Sequence, residues 1–475
     1  MEMGEQKVEG PAIITDPKTH EPFPVREFFC PSSFLIWRSL VREQIIAYPY
    51  SRKEDEMNQS YLCIDLKSYY ASVECVARGL DPFTANLVVA DRARGMGALC
   101  LAVSPALKAL GVRNRCRLFE IPRGIPYLIA PPRMQHYMNV STEIYKIYLK
   151  FLAPEDIFPY SIDECFMDVT PYLAMYAKTP VEMAVSLMNQ VYQRTGICAT
   201  AGVGTNLFLA KIAMDILAKH VPSHIGVLDE TAFREIMWHH RPITDIWQIA
   251  GGTARRLAKI GVYDLYGITR IPETTLYRLF GKNAAALIDH AWGREPCTLS
   301  DIRTYSPRSR SISAGQILFT NYTSEDARIL LHEMAETLIQ ELLEKGLVAR
   351  EISLRIGYAG EERASSGGIR RLPSWTDIPS RLQHAFSALY EAKVRREIPI
   401  RSLNLSLGRL APAGEGYEET SLFSDAKAEA KERAIEKVMI EIKKKHGKNA
   451  MLRGIDYMPK ATLRLRNTLI GGHHA

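Results

Sequence analysis

The sequence predicts an α+β protein with several domains, and three observations lead to that prediction. The chain has 475 residues, which is more than one hydrophobic core usually organises. Segments with strand and helix periodicity alternate up to about residue 221 and again from residue 311, whereas residues 222–300 carry helix patterns alone. Hydrophobic residues make up 47% of the chain and charged residues 24%, which is typical of globular domains with ample core.

The charge and cysteine content narrow the class of protein. The formal net charge of +7 and the pI near 8.8 are compatible with binding nucleic acid, although such a charge more often serves solubility. The eight cysteines are scattered without a CxxC pair, which indicates reduced thiols in a cytoplasmic protein. No apolar run reaches about 18 residues and the acidic N-terminus is unlike a signal peptide, so the sequence predicts no membrane contact.

Two adjacent carboxylates stand out in the segment 161–168. Asp163 and Glu164 occur in an apolar stretch that follows the turn signal Pro159-Tyr160. Neighbouring side chains of a regular strand point to opposite faces, so the pair can share a ligand only at a hairpin tip or a bulge. Burying both acids without a cation is costly, which favours a divalent metal. Two solvated acids beside a turn are nevertheless the more common arrangement for such a peptide on its own.

A third acid ends the first predicted strand. Residues 61–66 form an apolar run that contains Asp65, and a helix is expected to start after it with Ser68 as N-cap. Exposed backbone N–H groups at a helix start favour phosphate. A lone Asp at a strand end is more often a cap or an ion-pair partner. Together with Asp163 and Glu164, it becomes a candidate third ligand of a two-metal site.

Four segments, taken in chain order, resemble the motifs of one enzyme family. Residues 64–74 (IDLKSYYASVE) resemble the first metal motif of the Y-family translesion DNA polymerases, and residues 161–164 (SIDE) resemble the second. Residues 102–112 resemble the fingers helix, nearest to the bacterial UmuC-like branch, and residues 201–213 resemble the last palm strand and helix. The resemblance covers about residues 60–475 and leaves only the N-terminal extension outside it.

The resemblance implies a template-directed DNA polymerase of the translesion type, which adds deoxynucleotides opposite damaged bases with low fidelity in DNA repair and damage tolerance. It implies two Mg²⁺ ions as cofactors, held by the side chains of Asp65, Asp163 and Glu164 and by the backbone carbonyl of Leu66. Glu164 is implied to lie nearest the primer terminus, while Asp168 is expected to be structural. The implied substrates are primer-template DNA and deoxynucleoside triphosphates.

The resemblance also assigns residues that hold the nucleotide. Tyr70 matches the steric gate, whose ring excludes a 2′-hydroxyl, and Tyr69 is expected to pack nearby. An aromatic residue at a helix start is otherwise usually core. Lys108 and Lys211 match positions that contact the triphosphate, although a lone helical lysine is normally solvated.

The sequence departs from the family's pattern in the fingers. Ala102 and Pro105 stand where many relatives carry a hydroxyl residue and a tyrosine that bind the triphosphate, and Lys108 replaces an arginine. A sparser phosphate grip is therefore expected, with part of it supplied by Ser104.

The implied architecture is a right hand. It comprises a ferredoxin-like palm, small fingers, a helical thumb and a DNA-binding little finger of βαββαβ order, followed by a tail. Residues 1–58 are an N-terminal extension to which no function is assigned. The predicted bounds are 59–78 and 132–221 for the palm, 79–131 for the fingers, 222–300 for the thumb, 301–411 for the little finger and 412–475 for the tail.

DNA contacts are expected from the thumb and the little finger. Residues 243–257 resemble a helix-hairpin-helix, which presents hairpin amides to a DNA phosphate, but Gln248-Ile249-Ala250 replaces the usual Gly-Ile-Gly. The contact is then expected from Gly251 and Gly252 or from arginines, and a structural αα-hairpin is the alternative. The candidate arginines, each of which also fits an ordinary solvated side chain, are Arg255 and Arg256 in the thumb and Arg310, Arg355, Arg370 and Arg371 in the little finger.

The tail carries one further motif. Residues 419–423 resemble the sliding-clamp-binding peptide of bacterial polymerases, with Glu419 in place of the usual glutamine. Leu422 and Phe423 are expected to be its apolar anchors, which makes a sliding clamp a predicted partner. A chance Leu-Phe pair in a tail is the alternative.

Two other functions stay open on the sequence alone. A catalytically weak DNA-binding accessory protein of a damage-tolerance complex would fit the lost polar groups at Ala102 and Pro105, but the three retained acids argue against it. A two-metal nuclease would use the same acids, yet the steric gate and the thumb would then have no purpose.

Overall fold

The computed structural model describes residues 59–305, 311–360, 364–414 and 425–474. The N-terminal extension lies outside the described residues, as do Arg310, Leu422 and Phe423. Within the described ranges, no helix is long and apolar enough to cross a membrane. The predicted α+β multidomain fold is confirmed.

The chain enters the palm through its central strand. β1 (Tyr61–Leu66) is buried along most of its length, as expected for a strand that is covered on both faces. α1 (Tyr69–Val76) follows after two residues and contributes Ala71, Val73 and Cys75 to the palm core. The residues next to Asp65 are therefore held on a rigid strand–helix unit.

The fingers domain is a small sheet with one short helix and its own core. Val88, Cys100 and Leu107 are fully buried in that core. The elements are β2 (Leu87–Val89), β3 (Ala102–Val103), α2 (Pro105–Ala109) and β4 (Leu128–Ala130). The strand order is β3-β2-β4, with β2 antiparallel to β3 and parallel to β4.

The rest of the palm returns along both sides of β1. Its elements are α3 (Met134–Tyr148), β5 (Ile157–Pro159), β6 (Glu164–Asp168), α4 (Pro180–Thr195), β7 (Ala199–Gly204), α5 (Leu207–Ile212) and β8 (Ile225–Leu228). The sheet order is β5-β6-β1-β7-β8, with β1 antiparallel to both neighbours. Because β8 pairs parallel to β7, the palm sheet extends past the predicted boundary at residue 221 into the segment assigned to the thumb.

Two glycines of β7 let α5 lie close to the sheet. A Cβ at Gly202 would lie 2.0 Å from the Ala210 carbonyl oxygen, and one at Gly204 would lie 2.2 Å from the Ala210 nitrogen. Any side chain there would push the helix away. A π-helical turn (Ala213–Leu217) and a 3₁₀ turn (Ala218–His220) continue the helix beside the sheet.

The thumb is helical beyond β8 and has its own apolar core. Its elements are α6 (Glu230–Met237), α7 (Gly251–Ala258), α8 (Leu265–Thr269), α9 (Glu273–Phe280) and α10 (Ala284–Ala291). The next helix, α11 (Leu299–Thr304), lies back on the palm. There Leu299 packs with Tyr61 and Phe166, and Arg303 donates to the Ile157 carbonyl (2.7 Å). The first residues of the segment 301–411, which the sequence assigns to the little finger, therefore belong to a helix docked on the palm.

The little finger has the predicted βαββαβ order. Its elements are β9 (Ile312–Tyr322), α12 (Ser324–Glu344), β10 (Leu347–Tyr358), β11 (Ser365–Thr376), α13 (Pro379–Lys393) and β12 (Ile400–Pro412). The strands form an antiparallel sheet in the order β11-β10-β12-β9. α12 and α13 cover one face, where Leu354, Ile356 and Leu405 are buried, and the other face is open.

The C-terminal segment lies on the little-finger helices and reaches the fingers. α14 (Ala426–His446) packs on α12 and α13. Before α15 (Leu463–Arg466), the N–H groups of Thr462 and Leu463 donate to the buried Glu333 carboxylate, each at 2.9 Å. In the last hairpin, β13 (Leu469–Ile470) and β14 (His473–His474), the Gly472 carbonyl accepts a hydrogen bond from Arg94 of the fingers (2.7 Å).

We expect Glu333→Ala to loosen this segment. The substitution strips the N–H groups of Thr462 and Leu463 of their acceptor, at a cost of about 1–3 kcal/mol for an unpaired buried group. Limited proteolysis within residues 460–474 should then become roughly 10-fold faster, because cleavage follows local opening. Glu341→Ala, which removes an exposed carboxylate from the same helix, is the matched control. Equal cleavage rates for wild type and Glu333→Ala would contradict the anchoring role.

Candidate active site

Three acidic residues meet where β1 ends and the β5–β6 hairpin turns. Asp65 pairs across the sheet with Glu164, the first residue of β6. Asp163 precedes it in the turn, and its carbonyl oxygen accepts the Leu66 N–H (2.9 Å). The Ser161 hydroxyl donates to the Asp163 carboxylate (2.7 Å) and so restrains its orientation. The hairpin tip thereby brings both neighbouring acids to the end of the strand that carries Asp65.

The ionised form of Asp65 is disfavoured in the folded protein. Burial raises the pKa of Asp65 from 3.8 to about 7; Lys219 and Lys211 oppose the rise, while the charges of Asp163 and Glu164 add to it. Such a carboxyl is ionised at neutral pH only at the expense of folding free energy. A bound cation would remove that cost, because it favours the charged form.

The oxygen donors at this edge fit a hard divalent cation. Asp65, Asp163 and Glu164 supply carboxylates, and Leu66, whose carbonyl is the predicted backbone ligand, follows Asp65 directly. In the part of the chain that the structure describes, no group of three or more His, Cys, Asp or Glu residues forms a ready-made metal site. Mg²⁺ does not require one, because it commonly binds one or two carboxylates together with waters and substrate phosphates.

Lys211 lies among carboxylates rather than free for phosphate. Its ammonium group contacts Glu164 (2.7 Å) and Asp215 (2.9 Å), and its side chain is 8% exposed. Burial alone would favour the neutral amine, but the neighbouring Cys63, Asp215 and Glu164 raise the pKa of Lys211. Lys211 therefore neutralises Glu164 in this structure, and its triphosphate contact stays a prediction.

Lys219 is a candidate phosphate residue that the sequence reasoning missed. It lies on the 3₁₀ turn after α5, and its ammonium group contacts Asp215 (2.9 Å) while its side chain stays 42% exposed. Its charge acts on Asp65 and on Lys108, which places it beside the acidic cluster. The i, i+4 spacing of Lys211, Asp215 and Lys219 was a signal in the sequence, but the π-helical turn between them could not be read there.

Lys108 approaches the start of α1 from the fingers. Its ammonium group donates to the Ser68 hydroxyl (2.8 Å), and burial lowers the pKa of Lys108. Ser68 occupies the predicted N-cap position, but with a φ of 49° and no side-chain bond to the helix. Its hydroxyl instead connects palm and fingers. Lys108 therefore lies next to the helix N-terminus, as the prediction of a phosphate contact requires.

Ser104 has a structural role that replaces the predicted one. Its hydroxyl is fully buried and accepts the N–H groups of Leu107 and Leu87, at 3.3 and 3.1 Å. It caps α2 and joins that helix to the fingers sheet. A side chain buried in this way presents no oxygen or hydrogen to a nucleotide, so we do not expect Ser104 to contact the phosphates.

Tyr70 lies on α1, and a neighbouring aromatic ring packs against one face of its ring. The ring is half-buried and stacks on Tyr137, with centroids 4.5 Å apart and planes 20° from parallel. Tyr137 is fixed in turn, because its hydroxyl donates to Glu74 (2.8 Å) and Arg133 pairs with the same carboxylate (2.8 Å). Tyr69 is buried and donates to the Tyr137 carbonyl (2.6 Å). A ring supported in this way can exclude a substituent sterically.

The thumb hairpin keeps its backbone shape despite the lost glycine. Gln248 has a φ of +69°, a conformation that glycine adopts more readily, and its side chain is exposed. α7 starts at Gly251 without a side-chain cap, and a Cβ at Gly251 or Gly252 would meet nothing within 4 Å. Arg255 and Arg256 are exposed on α7, Arg256 lying over the Phe280 ring (4.5 Å). The helix start is therefore open to a phosphate.

The predicted little-finger arginines lie on two different faces of the sheet. Arg371 pairs with Glu351 and Arg355 with Gly367, positions on the open face. Arg370 pairs with the buried Ile352 and so lies on the helix-covered face, exposed at the edge strand β11. The three arginines therefore cannot contact one ligand across the open face together; only Arg355 and Arg371 share it. Arg310 lies outside the described residues.

Comparison with protein families and curated relatives shows which proteins this chain resembles. A model of the impB/mucB/samB family matches residues 64–215, and a model of that family's C-terminal domain matches residues 309–422. The chain is 32% identical to the "Putative UV-damage repair protein UvrX" of Bacillus subtilis, over 87% of this chain and 97% of that protein. It is 27% identical to the DNA polymerase IV 2 of the same organism, over 86% of this chain and 98% of that protein.

Comparison with solved structures addresses the fold. A Y-family DNA polymerase chimera of Dbh and Dpo4 superposes with a TM-score of 0.58, covering 74% of this chain and 99% of the chimera. The sequence identity is 20%, so this likeness establishes the shared fold alone.

We expect Asp65→Asn to stabilise the metal-free protein in a pH-dependent way. Because the folded pKa of Asp65 is raised to about 7, its stability contribution is most favourable below the ordinary pKa and is lost as pH rises through about 7. Removing the charge should therefore raise the melting temperature at pH 8 by about 2 °C or more, and by less at pH 5. Thermal unfolding with and without Mg²⁺ measures this. A difference that is the same at both pH values would contradict the cost assigned to Asp65.

Proposed function

The chain belongs to the impB/mucB/samB family, as a UmuC-like member of the Y-family DNA polymerases, and on that premise we propose that it adds deoxynucleotides opposite damaged template bases. The observation that carries the proposal is the position of Tyr70 five residues after Asp65, on the helix that follows the strand opposite Glu164. Three acids and a supported aromatic ring are thus brought to one edge of the palm. A polymerase needs the acids for the reaction and the aromatic ring for sugar selection.

The proposed cofactor is a pair of Mg²⁺ ions held by Asp65, Asp163, Glu164 and the carbonyl of Leu66. When bound, they would activate the primer 3′-hydroxyl and neutralise the leaving pyrophosphate. The acids' mutual repulsion and the raised pKa of Asp65 support this assignment. Lys211 is proposed to balance the charge of Glu164 from inside the protein, so that Glu164 stays ionised beside the primer terminus.

The triphosphate is proposed to lie over the start of α1. Lys108 and Lys219 would neutralise it from the fingers side and from the helix after β7, and the N–H groups at the helix start would add to their attraction. Tyr70 would contact the sugar from below. The proposed low fidelity follows from small fingers, which have a three-stranded sheet and one short helix with which to enclose the new base pair.

DNA is proposed to bind along the open little-finger face and the thumb hairpin. Most of the open face consists of small residues, such as Ser353, Asn404 and Ser406, so that a nucleic-acid backbone could approach it closely. Arg355 and Arg371 would supply phosphate contacts there, and the start of α7 would supply amide contacts. Such contacts are independent of sequence and weaken with salt. A sliding clamp that holds Leu422 and Phe423 stays a predicted partner.

Primer extension with Asp163→Ala tests the proposed reaction. The substitution removes one carboxylate from the acidic edge, and we expect extension on undamaged and lesion-bearing templates to fall roughly 100-fold or more while DNA binding persists. Asp168→Ala, four residues beyond Glu164 on β6, is the matched control and should retain extension. DNA binding without Mg²⁺-dependent extension by the wild type would instead favour the accessory protein, and degradation of the primer would favour the nuclease.

Sugar selection tests Tyr70 separately. We expect Tyr70→Ala to raise ribonucleotide incorporation relative to deoxynucleotide incorporation by about 100-fold, because the ring that would clash with a 2′-hydroxyl is gone. Tyr70→Phe keeps the ring on its Tyr137 support and should preserve the selection. Single-nucleotide incorporation with both sugars gives the ratio. Unchanged selection by Tyr70→Ala would remove the gate from the proposal without affecting the polymerase assignment.

A further inference from the structure

Lys67 is a positively charged residue at the candidate site. Neither the sequence motifs nor the proposed polymerase reaction assigns it a role. It lies in the two-residue turn between β1 and α1. Its N–H donates to the Cys198 carbonyl (2.9 Å), and Cys198 directly precedes β7. The backbone of the turn is therefore fixed to the palm sheet, and the Lys67 side chain starts from a defined point next to Ser68.

The ammonium group of Lys67 has neutral neighbours. It lies 3.2 Å from Nδ1 and 3.3 Å from Nε2 of His224, and 5.8 Å from the centre of the Phe83 ring. Burial and the charge of Lys67 lower the pKa of His224 to about 4, so the imidazole adds no charge of its own at neutral pH. Within the described ranges, no salt bridge joins Lys67 to a carboxylate.

Two further lysines lie near the same turn. Lys108 donates to the hydroxyl of Ser68, the residue after Lys67. Lys219 lies on the neighbouring 3₁₀ turn, where its partly exposed side chain pairs with Asp215 (2.9 Å). The charges of Lys108 and Lys219 both act on Lys67. Asp65 attracts Lys67 from the other side of the turn, but it belongs to the acidic edge assigned to the metals. Three cations that repel one another beside a helix N-terminus form a site suited to a polyanion.

We propose that Lys67 is a third cationic contact for the nucleotide triphosphate, acting with Lys108 and Lys219. The assignment rests on the proposed function and deepens it, because it identifies a binding residue for the same substrate. Ala102 and Pro105, on the fingers segment that precedes Lys108, contribute no polar side-chain atom. Lys67 thus supplies from the palm a positive charge that the fingers do not provide.

Steady-state primer extension with Lys67→Ala is the main experiment. We expect the KM for deoxynucleoside triphosphate to rise about 10-fold, with kcat changed less than KM and with the affinity for primer-template DNA unchanged. Lys67→Arg, which keeps the charge, should return KM to within about 3-fold of wild type. Lys150→Ala, which removes an exposed palm lysine distant from these contacts, is the matched control and should not alter KM.

A second measurement separates a phosphate contact from a merely structural role. Inorganic tripolyphosphate has neither base nor sugar, so its direct binding to the full chain, followed by calorimetry, reports the phosphate site alone. We expect Lys67→Ala to weaken tripolyphosphate binding about 10-fold and Lys67→Arg to restore it. Equal tripolyphosphate affinity for wild type and Lys67→Ala, or a loss that Lys67→Arg does not restore, would overturn the assignment.

The two readouts also distinguish this inference from the proposed function. If wild-type protein fails to extend primers, the polymerase proposal fails, while the tripolyphosphate measurement still decides the role of Lys67. If wild-type protein extends primers and Lys67→Ala leaves both KM and tripolyphosphate affinity unchanged, the polymerase stands and the Lys67 contact is refuted. Thermal unfolding of each variant shows that an observed loss comes from a folded protein.

Discussion

The burial of Asp65 beside two other carboxylates at the end of β1 is the constraint on which the rest of the site depends. Asp65 and Glu164 are cross-strand partners, and Asp163 is tied to the next residue of β1 by its own carbonyl, so the backbone holds the acids together whatever their charge. Burial raises the pKa of Asp65 to about 7, and the charges of Asp163 and Glu164 add to the rise. A cation bound there would favour the charged form of Asp65 and so remove the cost of ionising it.

A lysine of the palm, Lys211, neutralises part of this negative charge. Lys211 reaches Glu164 because α5 lies almost in contact with β7, and that approach depends on Gly202 and Gly204, where no Cβ can be accommodated. The opposite side of the site is positive, since Lys108 and Lys219 lie around the turn that precedes α1. Within the protein, Glu164 is paired with Lys211 and Lys219 with Asp215.

The outer domains are connected by contacts that the catalytic motifs do not include. Arg94 of the fingers donates to the Gly472 carbonyl in the C-terminal hairpin, and its guanidinium lies 4.8 Å from the centre of the Phe319 ring in the little finger. The buried carboxylate of Glu333 fixes the segment that leads to this hairpin. Fingers and little finger therefore have a direct connection besides the palm, made by one exposed hydrogen bond and one ring contact.

The sequence by itself determined the family, the acids and the order of the elements, because strand and helix periodicity and adjacent motif residues are local properties of the chain. The little-finger strands and helices follow the predicted βαββαβ order, and Asp163 and Glu164 do lie at a hairpin tip. Only the tertiary structure decided which lysine, arginine and serine side chains are available to contact a ligand. Lys211 forms an ion pair with Glu164, a residue 47 positions away. The Ser104 hydroxyl caps a helix. Arg370 lies on the opposite face of the sheet from Arg355. Lys219, which the sequence motifs do not include, follows a π-helical turn and pairs with Asp215. Side-chain partners so far apart in the chain, and the phase of an irregular helix, are set by packing, and no local pattern records them.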